Sequence, residues 1–439
     1  MKPTLHTRRQ FLRTSILGGA ISWTVPAFLE RTFFTLDAFA ADSPIQTTTG
    51  KDGQILVVLQ LAGGNDGLNT LVPFTDDAYF RARPRIAIPA KRTHRLTDHF
   101  GLNPNLSALK SLHDDGHLAV IQGVGYPNPN RSHFRSTEIW QTASDAHKTE
   151  SHGWLGRYFD SCCQGEDPTV GVSIGNQTPQ AFASQDQRGI SFARPEQFRF
   201  DLSKTSDPEA ADEFFRAINE RDAAAMEGGS IGVLQGTPAA QGDALDFLQR
   251  ATLDAVASSD KVLEITKRTK PAASYPAGQL SNSLNLVARL IGGGMPTRVY
   301  YVAQGGYDTH SNQSGSHDRL MAELDASIGA FTADLKAQGN FDRVVLMTFS
   351  EFGRRVAENT SSGTDHGAAA PLFVIGGKVQ PGIHGQAPSL TQLHKGDLMH
   401  TVDFRNVYAT VLSHWLGAPV APILKRSFTT LPFIQRCGI

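Results

Sequence analysis

The chain has 439 residues, with 41 basic residues against 42 acidic ones and three cysteines. So even a balance offers no cationic face for nucleic acid or an acidic membrane surface, and no nucleic-acid partner is expected. Cys162, Cys163 and Cys437 form no zinc-cysteine spacing, and both a bridge from Cys437 to one of the pair and free thiols stay open.

The first element is an export signal. Thr7-Arg8-Arg9-Gln10-Phe11-Leu12-Arg13 sets two adjacent arginines ahead of a Phe-Leu pair. A weakly apolar stretch from Ile16 to Leu29, broken by Gly18, Gly19 and Pro26, leads to Ala38-Phe39-Ala40, a small-residue cleavage site ahead of Ala41. A charged start, a short apolar middle and a small-residue exit make residues 1–40 a signal peptide, and the arginine pair assigns it to twin-arginine translocation. The expected location is the periplasm or the medium, with the twin-arginine export machinery as a partner. Spanning a bilayer takes about 20 apolar residues, and no later segment supplies them, so no stable membrane anchor is expected in the mature chain. Removing five basic and two acidic residues leaves 36 against 40 in residues 41–439. Changing Arg8 and Arg9 together to Lys is expected to trap the precursor in the cytoplasm. Cell fractionation reads this directly, and unchanged export of the double variant would remove the assignment.

Along the mature chain, apolar runs end in small or polar residues again and again. Ile55 to Leu61 runs into Ala62-Gly63-Gly64, and Leu118 to Ile121 into Gly123-Val124-Gly125. Arg298 to Ala303 runs into Gly305-Gly306, Val344 to Phe349 into Ser350-Glu351, and Leu372 to Ile375 into Gly376-Gly377. Near-continuous apolar runs read as strands covered on both faces. Helical periodicity falls between them at Leu106–His113, Phe134–Gln141, Leu284–Ile291, Arg319–Leu335 and Val407–Trp415. The alternation predicts an α/β fold, a doubly wound and mostly parallel sheet sandwiched by helices, over residues 41–439. Residues 201–270 break the rhythm with two Ala- and acid-rich helical stretches, Pro208–Met226 and Ala244–Lys267, and are expected to form a helical insertion.

Ligands of open α/β sheets bind beyond the carboxyl ends of the strands, and polar residues gather there. The first strand is followed by Gly63-Gly64-Asn65-Asp66-Gly67-Leu68-Asn69, another by Gly305-Gly306-Tyr307-Asp308-Thr309-His310, and a third by Ser350-Glu351-Phe352-Gly353-Arg354-Arg355. Thr364-Asp365-His366-Gly367 precedes the last run. Carboxylates and imidazoles mixed in this way, without cysteine, suit zinc or manganese, and a shared cation relieves the repulsion among the acids. The acid inside Gly63-Gly64-Asn65-Asp66-Gly67 excludes a dinucleotide fingerprint, because pyrophosphate would have to approach there. Tyr126-Pro127-Asn128-Pro129-Asn130-Arg131-Ser132-His133-Phe134 places a hydroxyl at a predicted helix start. Ser132 reads equally as a helix N-cap and as a nucleophile in the positive potential of that terminus.

The motifs GGNDGLN, GYPNPNRSHF, QGGYDTH, TFSEFGRR, TDHG and the late Asp403-Phe404-Arg405 resemble an exported bacterial family, domain of unknown function 1501, over residues 8–418. That family in turn resembles the alkaline phosphatase and sulfatase superfamily. The resemblance implies an α/β sandwich with metals at the strand ends. It implies Asp66, Asp308, His310 and His366 as ligands of one or two divalent ions, with Glu351 as a ligand or orienting a ligand. It implies Ser132 as the nucleophile; by side-chain chemistry, Asp365 is expected to steer His366 through its other nitrogen, His133 to bind the metal or support a ligand, and Asn69 to orient a substrate oxygen. Glu351-Phe352 departs from the Asp-His usual in the superfamily: the acid is kept and the imidazole is lost. The expected activity is hydrolysis of a phosphate- or sulfate-type ester on a small anionic substrate. The alternative is a non-catalytic binding or assembly protein on the same scaffold.

Overall fold

The computed structural model describes residues 53–163, 167–185, 189–197 and 258–435. The signal with Arg8 and Arg9, residues 201–257 of the expected insertion, and Cys437 lie outside the described residues. Residues 258–268 are helical and pack Val262 and Ile265 into one helical layer, off the sheet.

Nine strands form the central sheet. They are β1 Ile55–Leu61, β2 Leu118–Gly125, β3 Gly171–Ile174, β4 Ile190–Phe192, β5 Val299–Gln304, β6 Val344–Phe349, β7 Ala370–Ile375, β8 Gly382–His384 and β9 Val402–Asp403. Their order is β8-β2-β7-β6-β1-β5-β3-β4, with β9 also paired to β2. β1 runs parallel to β5 and β6, β5 to β3, and β3 to β4, while β8 and β9 run parallel to β2. β7 alone among them is reversed, antiparallel to both β2 and β6.

Side chains alternate across a strand, and β1 divides accordingly. Ile55, Val57, Leu59 and Leu61 pack one layer, with α1 Ser107–Asp114, α4 Gln279–Gly292 and α5 Gln313–Ala337. Leu56 and Val58 pack the other, with α2 His133–Thr142, α3 Trp154–Cys162 and α6 Phe404–Thr410. Every residue of β1 is buried, as a strand covered on both faces requires. The expected mostly parallel, doubly wound sheet is therefore the observed one. β3, β4, β8, β9 and α3 carry no counterpart among the expected elements; the four strands, of two to four residues, are too short to stand out as apolar runs. α5 begins six residues ahead of the expected Arg319, because the buried face of its first turns is polar, with Gln313 and His317 nearly inaccessible.

The reversed strand matters for function. Parallel strands present their carboxyl ends at one edge, and a reversed strand presents its amino end there. Asp365 and His366, which precede β7, thus reach the edge at which Gly63-Gly64, Asp308 and Glu351 follow β1, β5 and β6.

Candidate metal centre

The edge is assembled by close backbone approach. Gly63 has φ +119°, and a Cβ on it would stand 2.5 Å from the Asp308 nitrogen. Gly64 has φ +78°, and a Cβ on it would stand 2.3 Å from the Phe352 ring. Only glycine takes such backbone without strain and clash, so the loop after β1 lies directly on the loop after β5. Arg354, fully buried, pins the two together. Its guanidinium donates to the Gly64 carbonyl at 2.6 Å, the Tyr307 carbonyl at 2.9 Å, the Thr364 carbonyl at 3.0 Å and Asp308 Oδ1 at 2.8 Å, and also to the Gly63 carbonyl. The sequence offered no sign of this role, since an arginine after a strand reads as surface charge.

On this platform three side-chain atoms close a triangle. His310 Nε2 lies 2.9 Å from His366 Nε2, and both lie 3.0 Å from Asp308 Oδ1. His133 Nε2 stands 3.4 Å from the other oxygen, Asp308 Oδ2. His133, Asp308 and His366 each offer a ligand atom within 4.8 Å of the others. Ligands of a tetrahedral zinc with bonds of about 2 Å sit roughly 3.3 Å apart, so the spacing suits one shared cation. Partial burial pushes the Asp308 carboxyl up, but hydrogen bonds from Arg354 and His366 and the charge of Arg354 outweigh it and hold the group well below the usual carboxylate range.

The imidazoles are oriented by what their other nitrogens touch. His366 Nδ1 lies 2.8 Å from the Arg131 carbonyl, which only accepts, so the neutral ring carries its proton on Nδ1. Its Nε2 faces Asp308 Oδ1 at 3.0 Å and His310 Nε2 at 2.9 Å, so this nitrogen would be the one to meet a shared cation. His133 Nδ1 faces Glu351 Oε1 at 2.9 Å, leaving Nε2 buried with no hydrogen-bond partner among the described residues. Metal-binding histidines are held in this way, by a carbonyl or carboxylate on the far nitrogen. The donor set and the orphaned nitrogen fit a divalent metal.

Placement differs from expectation at several residues. Asp66 is not brought to the triangle: its carboxylate is buried in an ion pair with Arg83, Nη1 to Oδ2 at 2.7 Å, and also accepts from Gln313. Arg83 and Gln313 both fall on Oδ2, while Oδ1 is buried with no hydrogen-bond partner among the described residues. Asn69 is likewise withdrawn, its oxygen accepting from Tyr79 and Arg83 and its amide donating to the Ile86 carbonyl. Glu351 is buried and accepts from the Gly63 N–H at 2.8 Å as well as facing His133, the position of an orienting group. Asp365 faces His310 Nδ1 at 3.6 Å rather than His366. Ser132 precedes α2 as its N-cap residue, exposed, with no side-chain capping bond. Phe352, buried, sets its ring 4.9 Å from His133 and 4.6 Å from His366. A cavity of about 610 Å³, lined by Gly67, Asp76, His99, Gly123 and Pro371 among others, contains none of the centre's ligands.

Asp66 has a different task. Gln313, which donates to it, accepts through Oε1 from Thr309 at 3.1 Å and Thr364 at 2.6 Å, the residues before His310 and Asp365. The buried Asp66–Arg83 pair therefore supports the floor of the centre. Removing one member of a buried pair leaves an uncompensated charge, at a cost of about 3–5 kcal/mol, so Arg83→Met is expected to lower the urea midpoint sharply. Acid acts on the same network. Burial pushes the Asp66 carboxyl up, but Arg83 and Gln313 outweigh it and hold it below its ordinary value, and burial pushes the His317 imidazole down. Both groups contribute stability above their unfolded values that is lost as pH falls through the folded ones. Urea midpoints are expected to drop first below about pH 6.5, where unfolded histidine takes up its proton, and again below about pH 4.

The family described as protein of unknown function (DUF1501) matches residues 54–417. The chain belongs to that family. No curated protein matches this DUF1501 chain. Among solved structures, it is similar to an alkaline phosphatase superfamily protein from Vibrio parahaemolyticus at 11% identity, covering 91% of this chain and 76% of that one, with a TM-score of 0.38. It is similar to the lipoteichoic acid synthase LtaP from Listeria monocytogenes at 9% identity, covering 80% and 75%, TM-score 0.36. It is also similar to the C-terminal periplasmic domain of EcEptC from Escherichia coli, solved in complex with zinc, at 11% identity, covering 74% and 73%, TM-score 0.34. Among the described residues of this DUF1501 protein, no helix is long and apolar enough to cross a membrane.

Proposed function

We propose that this DUF1501 protein is an exported, metal-dependent hydrolase of phosphate- or sulfate-type esters, reaching the periplasm or the medium through twin-arginine translocation. The observation that carries the reading is the pair of imidazoles, His133 and His366, each held through Nδ1 by a protein acceptor and each aiming Nε2 at Asp308. His133, Asp308 and His366, with His310 beside them, would hold a divalent metal, zinc or manganese. Bound there, the cation supplies positive charge against which an anionic ester and its leaving oxygen are stabilised.

The chain's own residues do the rest. Glu351 keeps the proton of His133 on Nδ1, and Arg354 holds Asp308 against the Gly63-Gly64 loop. Ser132 presents an exposed hydroxyl at the amino end of α2, where the helix dipole favours negative charge. In the proposed reaction, Ser132 Oγ bonds to the phosphorus or sulfur, the ester bond to the leaving oxygen breaks, and that oxygen receives the serine proton. Water then hydrolyses the seryl ester. The Phe352 ring, packed against His133 and His366, favours the second reading, a binding protein that keeps the centre without turnover.

Metal analysis of protein purified without chelator, followed by a panel of phosphate and sulfate esters, tests the proposal. At least one equivalent of transition metal and chelator-sensitive hydrolysis are expected. Stoichiometric metal with no hydrolysis of any ester moves the assignment to the binding protein, and absence of metal overturns the hydrolase and leaves the binding or assembly protein.

A further inference from the structure

Beside the centre stands a guanidinium with few partners among the described residues. Arg355 follows Arg354, and its Nε is buried with no hydrogen-bond partner among the described residues. The closest anionic contact of its guanidinium is Asp397 Oδ1 at 3.7 Å, beyond hydrogen-bond reach, and its charge also acts on Asp365. Arg131 approaches the same buried carboxylate from the other side. It donates from Nε to Asp397 Oδ2 at 2.8 Å and from Nη2 to the same oxygen, leaving Oδ1 without a hydrogen bond. One carboxylate thus gathers two guanidiniums that remain about a third exposed, 34% for Arg131 and 37% for Arg355.

Both arginines are fastened to the metal centre through their backbones. The Arg131 carbonyl accepts from His366 Nδ1, and Arg131 lies two residues before His133. The Arg355 N–H donates to the Asp365 carbonyl at 3.0 Å. A guanidinium is a planar fork of N–H donors matched to paired oxygens on one anion, and the forks here are only partly used. We infer that Arg131 and Arg355, gathered by Asp397, form an anion-binding pair beside the metal centre that receives a tetrahedral oxyanion, phosphate or sulfate. This rests on the ester-hydrolase reading for its place in a reaction, but the binding it describes does not require turnover.

The test is calorimetric titration of the metal-loaded, signal-free chain with inorganic phosphate and, separately, with inorganic sulfate, at low ionic strength and with metal content measured in parallel. The wild type is expected to bind at least one of the two anions, and the one preferred names the ester class. Arg355→Gln is expected to weaken binding about tenfold or more, as loss of a charge-assisted fork does, with Arg355→Lys recovering only part and metal content unchanged in both. The inference is overturned if the wild type binds neither anion, if Arg355→Gln binds as tightly as the wild type, or if Arg355→Gln loses its metal, which would make Arg355 a support of the centre instead. Because the readout is binding, a failure of the hydrolase reading leaves each of these outcomes interpretable.

Discussion

Asp308→Ala is expected to strip the chain of its metal and to lower any ester hydrolysis by roughly 10³-fold or more, the scale of several kcal/mol of lost charge stabilisation. The reason is positional. Asp308 alone offers one oxygen to the triangle with His310 and His366 and the other to His133. The fold is expected to survive with a lowered melting point, because buried Arg354 loses its carboxylate partner but keeps its bonds to the carbonyls of Gly63, Gly64, Tyr307 and Thr364. Metal analysis, a rate assay and a melting curve on one preparation check all three. A variant that keeps its metal would show that the centre does not depend on this carboxylate, and would sink the proposed site. Glu351→Gln is the graded companion: it touches the metal only through His133, and loss of such an orienting partner costs about 10–100-fold in metal affinity.

Ser132→Ala is expected to leave metal content and stability untouched while removing turnover, by about 10³-fold or more if the hydroxyl is the attacking group. Truncating a serine N-cap ordinarily costs about 1 kcal/mol, but this hydroxyl makes no capping bond. The usual structural explanation for a loss of activity is therefore absent. Full rate in Ser132→Ala on a confirmed substrate would mean that water attacks directly and that Ser132 only begins α2.

The sheet was legible because a strand covered on both faces is apolar at nearly every position. Ile55–Leu61 and Val344–Phe349 stand where the sequence puts them. The site was legible only to the level of segment. The loops carrying Asp308, His310, Glu351, Asp365 and His366 do converge, but spacing cannot tell which carboxylate takes a cation and which an arginine. Asp66 pairs with Arg83, 17 residues away, a partnership that spacing does not disclose. His133 was underrated because a histidine in the first turn of a helix is unremarkable until Glu351, 218 residues distant, is seen to orient it. The direction of β7 was equally silent, since an apolar run carries no sign of which way it enters a sheet.

Because β7 runs backwards, residues 350–369 leave the sheet and rejoin it at the same edge, as a clasp rather than a crossover. Its two arms are laced together: the Gly353 N–H donates to the Ala368 carbonyl at 2.9 Å, Gly367 to Gly353 at 2.8 Å, and Arg355 to Asp365 at 3.0 Å. Arg354 and His366 face each other across the arms as an isolated bridge. The acid that aligns His133, the guanidinium that grips Asp308 and the imidazole of His366 are therefore mounted on one short, stiffened piece of chain. Bonds to Gly63 and Gly64 after β1, to Tyr307 and Asp308 after β5, and to His133 of α2 fasten that piece to the elements around it. A backbone distortion of the clasp therefore displaces His366 directly, and reaches His133 and Asp308 through Glu351 and Arg354.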